Sequence, residues 1–160
     1  MSGARFEFDG TIEENKGQQF VNGRGRHSQG FTRLHRPESH GFASQPIAGA
    51  KGLLLFPNSQ SDEGYVLGGE HPGKRPTGLP AGATAIYDAN GNIIKLVGDG
   101  IVADVGSNSF VFRAGGVTIT ISPAGLAIEG GTVTHNGTDI GDTHRHGGVE
   151  SGSSSTGAPV

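Results

Sequence analysis

A chain of 160 residues has room for one conventional domain or two small ones. Only 32% of its residues are hydrophobic, 30 are glycine, cysteine is absent, and the formal net charge is −3. Such a composition excludes disulfides, thiolate metal sites and a large apolar core within one chain, while the low charge argues against plain disorder. What remains is a β-rich protein with many tight turns that needs partners to complete its core.

Arg5–Asp9 alternates apolar and polar residues, as a half-buried strand does. Gln18–Val21 and Phe31–Leu34 are two further strands, separated by the glycine-rich NGRGRHSQG. Gly52–Phe56 reads as a buried strand ended by Pro57-Asn58, and Gly64–Gly68 as a fifth. Five short strands in about 65 residues fit a small Greek-key barrel of the OB type. No amphipathic helix is evident. Leu53–Phe56 is the longest aliphatic run and is far too short to span a bilayer, and MSGARFEFDG has no signal-peptide apolar region. Any action on a membrane would then be mechanical. The proline- and glycine-rich segment EHPGKRPTGLP, residues 70–80, reads as a linker.

Beyond it, short runs recur: Thr84–Tyr87, Ile93–Val97, Ile101–Val105, Phe110–Phe112, Val117–Ile121, Leu126–Ile128 and Thr132–Thr134. Turn signals such as DANGN, SPAG and EGG lie between them. Strands this short, repeating about every eight residues, indicate repetitive β-structure. One chain supplies too few large side chains for a core here. Three chains wound about a common axis, each giving one strand face to a shared interior, would solve that and leave few free sheet edges. The expected fold is therefore all-β, a small OB-type barrel followed by an intertwined trimeric β-helix spike.

His144-Arg145-His146 holds the chemistry. In an extended chain residues i and i+2 share a face, so the two imidazoles point together and Arg145 points away. Two ligands rarely hold a metal alone, but threefold symmetry would bring six imidazole nitrogens to one point. That set suits an octahedral first-row metal such as iron or nickel better than tetrahedral zinc. Gly141, Gly147 and Gly148 would let three backbones crowd the axis. A cupin metal motif is the rival, from His144, His146, Glu150 and Gly157, but it needs a downstream histidine that this sequence does not contain, and Thr138 stands where its glycine belongs. His135 reads as a strand-end histidine rather than a third ligand, although that, like an ion contact from Asp142, stays open. Asp139 and Asp142 are either supporting partners of the histidines or turn residues. The tail SGSSSTGAPV has a linker's composition.

Arg24, Arg26, His27, Arg33, His35 and Arg36 form a basic cluster. With Phe20 and Phe31 as its only aromatic neighbours, it reads as a protein-docking surface or a solvated loop before a nucleic-acid groove. Residues 81–160 carry three Lys/Arg against seven Asp/Glu, which again argues against nucleic acid. No nucleophile stands in a Ser/His/Asp setting and no phosphate-binding loop is present, so neither catalysis nor a small-molecule substrate is expected.

The string THNGTDIGDTHRHGGVESGSSSTGAPV resembles the C-terminus of baseplate assembly protein V, the central tail spike family of Mu-like contractile-tailed phages. GFASQP (41–46) and PTGLP (76–80) more loosely resemble that family's barrel core and its entry to the helix. The resemblance implies an OB collar over 1–72, a linker at 73–80, a triple-stranded β-helix over 81–142, and an apex and tail over 143–160 that folds back along the tip. It implies a homotrimer with one iron ion per trimer, held through His144 and His146, docked on a trimeric baseplate hub and making mechanical contact with the host outer membrane. The place of action would be the virion, at the tip of the tail baseplate, after assembly in the host cytoplasm. The distal segment of a trimeric receptor-binding tail fibre is the alternative, though residues 143–160 offer few aromatic or basic recognition positions.

Overall fold

Strand β1 (Ser2–Asn15) is long enough to serve two neighbours. Its first half, Ser2–Glu7, pairs antiparallel with β4 (Lys51–Phe56), and its second half pairs with β2 (Gln18–Arg24). The register shifts between Phe8 and Ile12, where Gly10 takes a positive φ of 93° and the Asp9 carboxylate accepts the Thr11 N–H at 2.7 Å. Asp9-Gly10, which looks like the end of a strand, is thus a bulge that bends one strand from one neighbour to the next. Strand β2 continues to β3 (Gly30–His35), and β3 meets β5 (Tyr65–Glu70) in parallel at His35–Tyr65. Pairing of β4 with β5 closes a five-stranded barrel in the order β1-β2-β3-β5-β4. This is the expected OB-type barrel, and the chain is all-β. The one helical element among the described residues is a single 3-10 turn at Arg26–Ser28. The computed structural model describes residues 2–57, 64–98, 100–145, 147–148 and 152.

Alternation along these strands points Phe6, Phe8, Val21, Leu34, Leu54 and Val66 inward, where with Ala50 they make the core. The rings of Phe6 and Phe8 meet edge to face with centroids 5.1 Å apart. Gly23 is required by this packing, because a Cβ there would meet the Phe6 ring at 2.5 Å and press on the Glu7 carbonyl. GFASQP does not enter the core as expected from the resemblance. It runs in the loop between β3 and β4, where Phe42 is 68% exposed and only Pro46 is buried.

Residues 71–83 contain turns and no strand. The chain divides at Gly106 into two compact units. The first carries, after the barrel, an antiparallel meander of β6 (Thr84–Tyr87), β7 (Ile93–Val97) and β8 (Gly100–Asp104). The second carries a like meander of β9 (Phe110–Ala114), β10 (Val117–Ser122) and β11 (Gly125–Glu129), and then a small hairpin of β12 (Thr134–His135) and β13 (Thr138–Asp139).

Register partners share a sheet face, so pairing sorts the side chains. In the first meander Ile86, Ile94 and Ala103 align in one row, and Thr84, Leu96 and Ile101 in the next. In the second, Phe112, Ile119 and Ile128 align, then Phe110, Ile121 and Leu126, with Ala114 and Val117 beside them. The opposite face of that sheet carries the polar row Arg113, Thr118 and Glu129, and beside it Val111, Thr120 and Ala127. These apolar rows hold exposed side chains: Ile101 is 73% exposed and Leu126 66%.

Candidate metal centre

The C-terminal motif is set up by a turn. Asn136 and Gly137 both have positive φ, 49° and 81°, the pairing that a two-residue hairpin loop demands. This joins β12 to β13 in the register Thr134–Asp139 and His135–Thr138, and the Ile140 N–H donates to the Val133 carbonyl at 2.8 Å. The strand expected at Thr132–Thr134 is therefore displaced to Thr134–His135, because Asn-Gly dictates where the hairpin closes. His135 sits at a strand end, exposed.

Directly after β13 the chain is organised by Asp139. One carboxylate oxygen accepts the Gly141 N–H at 2.8 Å, and the other accepts the Thr143 hydroxyl at 2.7 Å. The Thr143 hydroxyl first, then the Gly141 amide, hold the Asp139 carboxyl below its usual range against a burial cost, and the neighbouring His144 adds to this. The Gly141 carbonyl in turn faces His144, 3.3 Å from its backbone N–H and 2.5 Å from ring Nδ1. Since a carbonyl only accepts, Nδ1 carries a proton, and in the neutral ring the lone pair lies on Nε2. An imidazole bonded in this way is a suitable donor for a first-row metal ion.

Of the two expected ligands, His144 is thus placed, exposed and oriented, whereas His146 lies outside the described residues. Among the described residues no three His, Asp or Glu side chains gather as a ligand set. Of the two aspartates singled out in the sequence, Asp139 bonds toward the histidine. Gly141 and Thr143 were not anticipated in these roles. Their signal is the local Asp-x-Gly spacing, by which an aspartate caps the amide two residues on.

The basic cluster on the barrel comes apart. Arg36 is 6% exposed and makes a fully bonded clamp. It donates to the Gly68 carbonyl and the Gln19 side chain at 2.8 Å, to the Ser44 carbonyl at 3.1 Å and to the Ser44 hydroxyl at 2.9 Å, and pairs with Glu38 at 3.1 Å. Glu38 also accepts the Ser44 amide and hydroxyl at 2.9 and 2.7 Å. Arg33 pairs with Glu13 at 3.1 Å and lies 4.4 Å over the Phe20 ring. Two of the four arginines thus hold the barrel and its long loop together.

Comparison with known proteins follows the same division. Residues 10–73, most of the barrel, match the family model described as bacteriophage Mu Gp45, N-terminal. Residues 142–160 match the GpV apex motif, which begins just before His144. The baseplate puncturing device gp45 of Escherichia phage Mu is 34% identical over 67 residues, 42% of this chain and 34% of that protein's length. One signature thus lies on the barrel and another on the histidine-bearing end, and both are similar to parts of the baseplate spike proteins of Mu-like phages.

Proposed function

We propose that the chain is the central membrane-piercing spike of a contractile tail, acting as a homotrimer and without turnover. The observation that carries this reading is the pair of apolar sheet faces between Thr84 and Glu129, whose Ile86, Leu96, Ile101, Phe112, Ile121 and Leu126 side chains are exposed. Removing one Ile, Leu or Phe side chain from water is worth about 1.5–3 kcal/mol, so two such faces are a strong drive to associate. Three copies that turn these faces toward a common axis gain a shared interior and leave the Arg113, Thr118 and Glu129 face to water. Residues 1–72 would form a collar docked on a trimeric baseplate hub, and 81–142 a triple-stranded β-helix that transmits axial force. Residues 143–160 would make the tip that meets the host outer membrane. No nucleic acid or small-molecule substrate enters this action, and its place is the virion, at the end of the tail baseplate, after assembly in the host cytoplasm.

At the tip we propose one iron ion per trimer, held by His144 and His146 of each chain through six imidazoles. Bound there, the ion would tie three chain ends together. Each chain's own part is to present Nε2 of His144 in one orientation, which the Gly141 carbonyl supports.

Light scattering and metal analysis on one sample test both parts. We expect a mass of three times 16.3 kDa and about one ion per three chains. His144→Ala and His146→Ala should each abolish metal binding and Arg145→Ser should not. A well-folded monomer at micromolar concentration would overturn the architecture, and one ion per chain would overturn the apex.

A further inference from the structure

Three residues outside the proposed ligand pair form a chain of hydrogen bonds that ends on the His144 ring. Asp139 takes the Gly141 amide on one oxygen and the Thr143 hydroxyl on the other, and Gly141 presents its carbonyl to His144 Nδ1. Gly141 would by itself be a loose joint, since it has no side chain to hold it. The Asp139 carboxylate supplies the hold: it fixes the amide of the residue whose carbonyl the imidazole uses. Thr143, next to the histidine, ties the other oxygen to the turn.

We propose that Asp139 is a positioning residue for the metal centre, fixing through Gly141 and Thr143 the ring orientation and the tautomer in which His144 offers Nε2. The energetic logic is preorganisation. An unrestrained imidazole divides its population between two tautomers and several rotamers, and only one combination turns the Nε2 lone pair toward a fixed point. A carbonyl on Nδ1 selects that combination before any ion arrives, and partners of this kind typically change metal affinity by about 10- to 100-fold. Across three copies of the chain the same restraint would act three times on one site. This inference rests on reading His144 as a ligand, but the tautomer can be read without metal.

The test uses the full-length chain with 15N-labelled histidine, freed of metal by a chelator, at a pH where imidazole is neutral. Long-range nitrogen–proton spectra report which ring nitrogen carries the proton, and His144→Gln identifies the signal. The wild type should show His144 protonated on Nδ1. Asp139→Ala should show mixed tautomers and hold iron(II), or nickel(II) as an air-stable probe, about 10- to 100-fold more weakly against a competing chelator. Thr143→Val should shift both readouts in the same direction by less. Asp139→Asn, which keeps an oxygen for the Gly141 amide, should retain most of the wild-type behaviour. His144 protonated on Nε2 in the wild type overturns the proposal. So does an unchanged tautomer and metal affinity in both Asp139→Ala and Thr143→Val. Should Asp139→Ala fail to fold, Thr143→Val decides alone. A wild type that takes up neither metal defeats the ligand reading only, and the tautomer comparison still judges Asp139.

Discussion

The barrel and the second meander are built from the same kind of strand, yet they dispose of their apolar faces in opposite ways. In the barrel, closure brings Phe6, Phe8, Val21, Leu34, Leu54 and Val66 onto one another, and each is nearly or wholly removed from water. In the sheet of β9, β10 and β11, Phe110, Phe112, Ile119, Ile121, Leu126 and Ile128 line one face, on which Phe110 and Ile119 are half-buried and the other four are exposed. Alternation therefore specifies which face is apolar, while closure or open ends decide who must cover it. A barrel is its own partner, whereas a three-stranded meander has to find one.

The largest effect should come from a charge on the open face. Ile121→Asp would bury three carboxylates in the interior of the proposed trimer, each costing several kcal/mol, on the order of the whole stability of such an assembly. We expect it to yield a monomer by light scattering with the barrel still folded by circular dichroism. Thr118→Lys, on the opposite face between Arg113 and Glu129, should remain trimeric. If both variants assemble alike, the two faces are equivalent and the comparison fails.

The converse experiment strikes the barrel. Arg36→Ala removes one partner from a buried ion pair and strips donors from Gly68, Gln19 and Ser44, a loss of about 3 kcal/mol. Denaturant unfolding should show it as a lower midpoint of the barrel transition, with the trimer retained. Gly23→Ala should cost less, about 1–3 kcal/mol, since the Phe6 ring and the Glu7 backbone must give way to the added methyl. An unchanged midpoint in both would mean that the barrel does not rest on these contacts.

Much of this was legible in the residues. Thr84–Tyr87 and Ile93–Val97 coincide with observed strands, and Phe110–Phe112, Val117–Ile121 and Leu126–Ile128 fall within them, because alternation and turn signals act locally. The full length of β1 was not legible, since Asp9-Gly10 has the same composition whether it ends a strand or bulges it. Nor was the burial of Arg36. A run from Arg24 to Arg36 reads as surface charge until folding brings Gln19, Ser44 and Gly68 around one guanidinium. In the C-terminal motif the spacing of His144 and the nearness of Asp139 in sequence are both legible. The Gly141 carbonyl that links them is not, because backbone direction follows from a turn and no residue type announces it.

The smallest predicted effect is a response to acid confined to the barrel loop. Burial disfavours the ionised form of Glu38, but the Ser44 hydroxyl and amide and the charge of Arg36 outweigh it, so the carboxyl lies below its ordinary value of 4.5. A folded value below the unfolded one means that the pairing contributes fully above about pH 4.5 and is lost as pH falls through the folded value. Protonation would remove a charge partner of Arg36 and weaken the acceptor for the Ser44 amide. The Ser44 amide, followed by hydrogen exchange and expressed as protection relative to an unstructured chain, should therefore lose several-fold protection over that acid range. Amides of β10, in a sheet whose open face holds only aliphatic and aromatic side chains, should lose none by this route. Glu38→Gln should start with lower Ser44 protection and show no further loss on acidification. If Ser44 protection in the wild type is flat with pH, or falls equally in Glu38→Gln, then the Glu38 charge does not hold the loop, and Arg36 does so through Ser44 and Gly68 alone.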